Sequence, residues 1–145
     1  MYFEDFEIGQ RFVTEPLILT KEDIMAYAGK YDPIPLHVNE DFANNSSFNG
    51  VIASGFHTLS TIWGQWIRLK KLDTEVIAGL GIDELKFTAP VRPGDALVTA
   101  IEVIEKIPTS KGGKGIVTIN ISASNQNGEQ VITAKVKSLM KSREC

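Results

Sequence analysis

Hydrophobic residues follow helical spacing in the first half of the chain and alternate with polar residues in the second half. Helical spacing begins after Thr20, a favourable N-cap, and stops at Pro33, which cannot continue a helix. A second, short helix is predicted after Asn39, because acidic residues fill its first turn. The segment 10–19 reads as a strand that precedes both helices.

A longer helix is predicted from about Ser54 to Lys71. Its large apolar residues cover more than one face: Phe56, Leu59, Ile62, Trp63, Trp66, Ile67 and Leu69. A helix that is apolar nearly all round is usually buried. We therefore expect both tryptophans chiefly to fill the core, although both also become pocket residues if the helix lines a cavity.

Strand signals dominate from Glu75 onward. Four strands are predicted, the first reaching Phe87 and the others covering residues 96–107, 116–124 and 130–140. Turns are expected at Pro93-Gly94 and at Asn127-Gly128. One buried helix followed by a long antiparallel meander indicates an α+β fold in which a sheet wraps around the helix.

Composition narrows the classes of function. The 145 residues fit a single domain over positions 1–145, and the formal net charge of −3 argues against a nucleic-acid surface. Neither a signal peptide nor a membrane span is expected, so a cytoplasmic protein is the prediction. Cys145 is the sole cysteine, which excludes an internal disulfide and a multi-cysteine zinc site.

The segment Y-D-P-I-P-L-H places a carboxylate, Asp32, five residues before an imidazole, His37. Two prolines lie between them and predict a stiff, non-helical loop. A rigid loop that presents an acid and a base suits proton transfer, provided that both groups reach the reacting atoms. The alternative is an Asp-Pro turn beside a histidine that makes a structural hydrogen bond.

Three segments resemble the MaoC-like dehydratases, also described as R-specific enoyl-CoA hydratases, which have the hot-dog fold. They are Y-D-P-I-P-L-H with V-N-E-D-F-A after it, F-N-G-V-I-A-S-G-F-H-T, and F-T-A-P-V-R-P-G-D. In the family signature Asp-x-Asn-Pro-x-His, Asp32, Pro35 and His37 match, while Ile34 stands in the place of Asn. The family's His-Gly pair reads Ser54-Gly55 here, and a histidine follows as His57.

The resemblance implies that Asp32 and His37 add water to a trans-2-enoyl-CoA, or catalyse the reverse dehydration. It implies no metal and no cofactor, because coenzyme A is part of the substrate. It also implies a homodimer or higher homo-oligomer with acyl-CoA sites near the subunit interface. Exposed edges of a single sheet favour such pairing.

Further site residues are expected around the start of the long helix. Free backbone N–H groups there suit a thioester oxygen that becomes negative, and Gly55 permits close approach of a ligand. Ser54 either contacts substrate or serves as an ordinary N-cap. His57, Ser60 and Trp63 either border the pocket or have structural roles.

Ile34 cannot form a side-chain hydrogen bond where the family has an amide. Its side chain either excludes water from the site beside Asp32, which would favour the protonated carboxyl, or packs into the core.

Two other functions remain open: a hot-dog acyl-CoA thioesterase and a non-catalytic acyl-CoA binding protein. Many thioesterases of this fold carry a catalytic Asp or Glu on the central helix, as do acyl-carrier-protein dehydratases. The segment 51–72 contains neither residue, which disfavours both kinds of enzyme. Retention of Asp32 and His37 disfavours a purely binding role.

Overall fold

The helices precede the long strands, as the sequence predicts. The computed structural model describes residues 1–144, so Cys145 lies outside the described residues. The helices are α1 (Lys21–Tyr31), α2 (Pro35–Val38), α3 (Glu40–Asn44) and α4 (Gly55–Arg68). The strands are β1 (Arg11–Val13), β2 (Leu17–Ile18), β3 (Val76–Phe87), β4 (Ala96–Pro108), β5 (Lys114–Ser124) and β6 (Gln130–Lys141). Short 3₁₀ turns cover Phe3–Asp5 and Asp73–Glu75.

The strands form an antiparallel sheet in the order β1-β4-β5-β6-β3, and β2 also pairs with β4. The long strands β4, β5 and β6 pair along most of their length, with Ile121 opposite both Ile101 and Ala134. Strand β3 pairs only with β6 among the described strands. One edge of β3 is therefore unpaired.

The core lies between α4 and the inner face of the sheet. Ile62 and Trp66 of α4 are fully buried, and the Phe12 ring lies 5.3 Å from that of Trp66. Strands β4 and β6 alternate between fully and partly buried positions, which is the pattern of a sheet with one face on a core. Replacement of Trp66 by Ala would cost about 3–5 kcal/mol of stability by the usual scale of such truncations. The predicted sheet around a central helix is confirmed.

Helix α4 is not buried all round, which corrects the sequence prediction. Phe56 is 59% exposed, whereas the polar residue Gln65 is buried. The Gln65 amide donates to Thr14 Oγ1 and to Leu97 O, and it accepts from Thr99 Oγ1 at 2.7 Å. Because these hydrogen bonds satisfy the Gln65 amide, a polar residue can occupy a buried position where the pattern predicts an apolar one. The helix also ends at Arg68, short of Lys71.

Strand β3 differs from the other long strands. Nearly all of its residues are exposed, and its pairing with β6 contains three register shifts. Its exposed apolar side chains are Ile77, Leu80, Ile82 and Phe87. An edge strand with this composition is a surface prone to association.

Two smaller predictions need adjustment. The single strand expected over 10–19 is two short strands, because Pro16 lies between β1 and β2 and lacks the N–H that a ladder needs. The Asn127-Gly128 hairpin exists, but its loop covers residues 125–129. The Asn125 side chain organises that loop by accepting from the N–H groups of Asn127 and Glu129.

Among residues 1–144, no helix has the length and apolar character needed to cross a membrane.

Candidate active site

Asp32 is placed by the end of α1. It is the C-cap residue, and its N–H donates to Ala28 O at 2.8 Å. The following residue, Pro33, cannot extend the helix, so the chain turns away at this point. The Ile34 N–H then donates back to Asp32 O at 2.9 Å. The backbone on both sides of the carboxylate is thereby fixed.

His37 lies in α2, which forms one helical turn, so the prediction of a non-helical loop is wrong for this part of the segment. Pro35 occupies the first helical position, where a missing N–H costs nothing and the fixed φ favours a helix. The turn buries the imidazole and brings its Nδ1 within 2.7 Å of Ile52 O. A carbonyl oxygen only accepts, so Nδ1 carries a proton and donates it. In the neutral ring, Nε2 is then the basic nitrogen.

The two predicted catalytic groups face each other. His37 Nε2 lies 3.6 Å from Asp32 Oδ2. The His37 side chain is 8% exposed and that of Asp32 is 25% exposed, so both are largely shielded and the carboxylate still reaches solvent. The separation is too long for a direct hydrogen bond but brings both groups to one small volume.

Ser54 links the carboxylate to the start of α4. The side chain is fully buried, and its hydroxyl donates to Asp32 Oδ2 at 2.6 Å. The Ser54 Oγ also accepts from the Phe56 N–H at 3.2 Å, which makes Ser54 the N-cap of α4. One side chain therefore caps the helix and fixes the rotamer of Asp32. The N-cap prediction is confirmed, and the bond to Asp32 was not predicted.

A cavity of about 370 Å³ lies beside this pair. His37 lines it, together with Gly55 and Thr58 of α4 and Phe87 at the end of β3. Its remaining lining is mostly apolar: Phe48, Ile52, Ala53, Thr88, Ala89, Pro90, Val91 and Val131. Asp32 does not line the cavity itself; its carboxylate lies next to His37, which does. An apolar cavity with one imidazole at its wall suits an uncharged organic group.

Gly55 is the first residue of α4 and lies in the cavity wall. Its N–H donates to no acceptor among the described residues, as expected at a helix N-terminus. The Phe87 ring packs directly on it, so that a Cβ at position 55 would come within 2.5 Å of that ring. Close packing against Phe87 is thus one reason for glycine here, and the oxyanion role stays a prediction.

Four other predicted residues lie away from this cavity. His57 stacks on Tyr27, with ring centroids 4.4 Å apart and an interplanar angle of 8°. Burial lowers the pKa of His57, and its Nδ1 is buried without a hydrogen-bond partner. Ser60 and Trp63 line a second groove further along α4. Ile34 is 48% exposed, which rules out the core position, and it is absent from the cavity lining.

Of the twelve residues that line the cavity, only His37 and Gly55 were predicted as site residues, and Thr58 and Phe87 illustrate why the others were not. Thr58 lies three residues after Gly55, and that spacing placed it on the same helix face. Phe87 had no local signal beyond strand alternation, because its role depends on contact with a distant helix. The predicted turn at Pro93-Gly94 is stabilised by Asp95, whose carboxylate accepts from the Arg92 N–H at 2.9 Å.

Residues 1–144 contain no cluster of three or more potential metal ligands among His, Cys, Asp and Glu. The absence of a metal in the reaction remains an expectation.

Comparison with known proteins adds independent information. The family model of the MaoC like domain matches residues 5–125. An uncharacterized protein of Bacillus subtilis, YdeM, is 38% identical over 97% of this chain and 99% of its own length. A 3-hydroxybutyryl-CoA dehydratase of Methylorubrum extorquens is 34% identical, over 83% of this chain and 75% of its own. An (R)-specific enoyl-CoA hydratase of Rhodospirillum rubrum is also 34% identical, over 76% and 74% respectively.

A crystal structure of a MaoC-like dehydratase from Rhodospirillum rubrum superposes with a TM-score of 0.90 at 33% identity. The match covers 99% of this chain and 98% of the other. This likeness confirms the hot-dog fold.

Proposed function

The chain belongs to the MaoC-like dehydratase family, and we propose that it is a hydro-lyase of acyl-CoA thioesters. The reaction we propose is addition of water to trans-2-enoyl-CoA to give (R)-3-hydroxyacyl-CoA, or the reverse dehydration. The observation that carries this proposal is the pairing of Asp32 with His37 at 3.6 Å beside an apolar cavity. The names of the dehydratase and hydratase relatives support the same reaction class.

In the proposed mechanism the two groups hold one water. Both the Asp32 carboxylate and the neutral His37 Nε2 are acceptors, so each takes a hydrogen bond from a water placed between them. The water oxygen attacks C3 of the enoyl thioester as the pair removes one of its protons. The pair then returns one proton to C2. The C3–O and C2–H bonds form, the C2=C3 double bond is lost, and no cofactor is consumed.

The thioester oxygen gains negative charge during this step. The free Gly55 N–H at the positive end of α4 lies in the same cavity wall as His37 and is the donor that we assign to that oxygen. One such donor typically contributes about 3 kcal/mol to barrier reduction. Asp32 is held for its part by Ser54, whose hydroxyl occupies one lone pair of Oδ2.

A hydration assay tests the reaction class. We expect purified protein to consume the conjugated double bond of crotonyl-CoA without release of free thiol. Thiol release in place of hydration would indicate a thioesterase, and binding without turnover would indicate a non-catalytic protein. Either result overturns the proposal. The absence of any Asp or Glu in α4 supports hydration over the thioesterase alternative.

We also propose that the protein works as a homodimer joined at β3. This strand has an unpaired edge and an exposed apolar series that includes Ile77, Leu80 and Ile82. Two copies related by a two-fold axis would pair these edges antiparallel and cover the apolar side chains. Sedimentation should show a dimer at micromolar concentration, and a stable monomer would contradict this assembly.

A further inference from the structure

Helices α1 and α4 meet at a pair of stacked rings. The Tyr27 ring of α1 lies on the His57 imidazole of α4, with ring centroids 4.4 Å apart and ring planes 8° from parallel. A hydrogen bond joins the ends of the same two helices, since the Ser54 hydroxyl at the start of α4 donates to Asp32 Oδ2 at the end of α1. The two helices are therefore joined at two separate places, and the carboxylate of the proposed catalytic pair lies at one of them.

The distance between these two contacts matters for the direction of α1. Tyr27 lies five residues before Asp32, and His57 lies three residues after Ser54. At 1.5 Å per residue, the contacts are separated by about 7.5 Å along α1 and about 4.5 Å along α4. A helix held at one point can pivot about that point, whereas contacts several ångströms apart fix its direction as well. The stacked rings therefore help to set the angle at which α1 presents Asp32.

Packing of α1 on the core does not replace this contact. The buried residues of α1 are Ile24 and Ala28, which are one helical turn apart and form a single line along the helix. A helix held along one line can still roll about that line. Tyr27 lies about 60–100° around the helix from it, so its contact with α4 resists the roll.

Hydrogen bonding does not explain the presence of His57 at this position. Its Nδ1 is buried without a hydrogen-bond partner, and an unpaired buried polar atom destabilises a fold. Burial also lowers the pKa of His57, which keeps the imidazole neutral near pH 7. The feature of the imidazole that the structure uses is the flat face that lies against Tyr27.

We infer that Tyr27 and His57 are positioning residues whose stacked rings hold Asp32 where it shares one water with His37. This inference rests on the proposed hydro-lyase function. Neither ring lines the cavity beside His37, so both act through the placement of Asp32 and not through contact with substrate. Displacement of a catalytic group by about 1 Å is enough to lower a rate about 10²-fold.

The test measures kcat and KM for crotonyl-CoA hydration by Tyr27→Leu and by His57→Leu, each checked for folding by circular dichroism. Leucine keeps an apolar side chain but cannot stack. We expect kcat to fall at least about tenfold in each variant, while KM changes less than about twofold because the cavity lining is intact. Since the two substitutions lie on different helices, failure of one variant to fold leaves the other as the test.

Ring-retaining variants distinguish stacking from apolar volume. Tyr27→Phe and His57→Phe keep a flat ring at each position, and both should keep kcat within about threefold of the wild-type value. A loss in folded phenylalanine variants as large as that in the leucine variants would overturn the inference, because the stacked face would then not be what matters.

A second aromatic contact on α4 supplies the matched control. The Phe12 ring lies 5.3 Å from the Trp66 ring, and Trp66 is nine residues beyond His57 on the same helix. Phe12→Leu should lower the free energy of unfolding and leave kcat unchanged. An equal loss of kcat in Phe12→Leu would mean that any weakening of the α4 packing lowers activity, and the specific role of Tyr27 and His57 would be wrong.

The outcomes separate the two proposals. If wild-type protein does not hydrate crotonyl-CoA, the proposed function fails and the positioning role fails with it. If wild-type protein hydrates crotonyl-CoA and a folded leucine variant at either position keeps the wild-type kcat, only the positioning role is wrong.

Discussion

The two histidines are both buried, yet their surroundings differ in every respect that matters for proton transfer. His37 donates from Nδ1 to Ile52 O, faces a carboxylate with Nε2, and lines a cavity. His57 is stacked on Tyr27, leaves Nδ1 without a partner, and lines neither the cavity beside His37 nor the groove further along α4. Burial alone therefore does not mark a catalytic imidazole. A fixed tautomer, a partner and room for a substrate do.

The largest expected effect separates the two histidines by activity. His37→Ala should lower kcat/KM for crotonyl-CoA hydration by about 10²–10⁴-fold, the usual contribution of a positioned acid–base group. His57→Phe keeps an aromatic ring against Tyr27 and should change the same quantity less than about threefold. A large loss of activity in folded His57→Phe protein would contradict the claim that only His37 takes part in catalysis.

The next largest effect is expected at Ser54, because its hydroxyl holds Asp32 beside His37 and makes no hydrogen bond to His57. Ser54→Ala removes the hydroxyl that holds Asp32 Oδ2 and should lower kcat about tenfold with little change in KM. A hydrogen bond to a charged group is worth about 1.5–3 kcal/mol. Ser54→Thr, which keeps the hydroxyl, should recover most of the loss.

Loss of the helix cap must be separated from loss of positioning. Thr20→Ala removes a comparable N-cap bond, from Asp23 N to Thr20 Oγ1, at the start of α1. It should lower the free energy of unfolding by about 1 kcal/mol and leave kcat unchanged. Wild-type kcat in Ser54→Ala, or a similar kcat loss in Thr20→Ala, would show that Ser54 acts only on stability.

The smallest expected effect concerns His57 and the pH dependence of stability. Burial lowers the pKa of His57, although Asp23 favours the protonated form. The unfolded chain therefore binds the proton at higher pH than the folded protein. Below about pH 6.5, the ordinary value, unfolding takes up a proton, and the free energy of unfolding falls as pH falls.

His57→Phe removes this contribution. Relative to wild type, the variant should gain stability on going from pH 8 to pH 5.5, by at most about 1.4 kcal/mol per pH unit below the ordinary pKa. Urea unfolding at both pH values measures the difference. Parallel pH curves for the two proteins would mean that His57 does not titrate differently on folding.

Local pattern explains which parts of the fold were predictable. The caps at Thr20 and Asn39 and the alternation of the last three strands are encoded within a few residues, and the structure places those elements as predicted. The pairing of Asp32 with His37 was predictable because the two lie on one short segment that proline stiffens. Ser54 was predictable as a cap for the same local reason.

The remaining features depend on contacts between distant segments. The hydrogen bond from Ser54 to Asp32 connects the start of α4 to the end of α1. The packing of Phe87 on Gly55 connects the end of β3 to the start of α4. The exposure of β3 depends on its place at the edge of the sheet. Residue spacing carries no information on these distances. Ser60 and Trp63 were accordingly predicted to lie near Asp32 and His37, although they line the second groove.

The central claim is that Asp32 and His37 act as one unit on a single water. The most direct measurement is kcat/KM for crotonyl-CoA hydration by Asp32→Asn, His37→Ala and the double variant, each shown to be folded. Because groups that act jointly are non-additive, all three should lose activity to a similar degree. A double variant whose loss is the product of the two single losses, or a single variant that hydrates at nearly the wild-type rate, would contradict the claim.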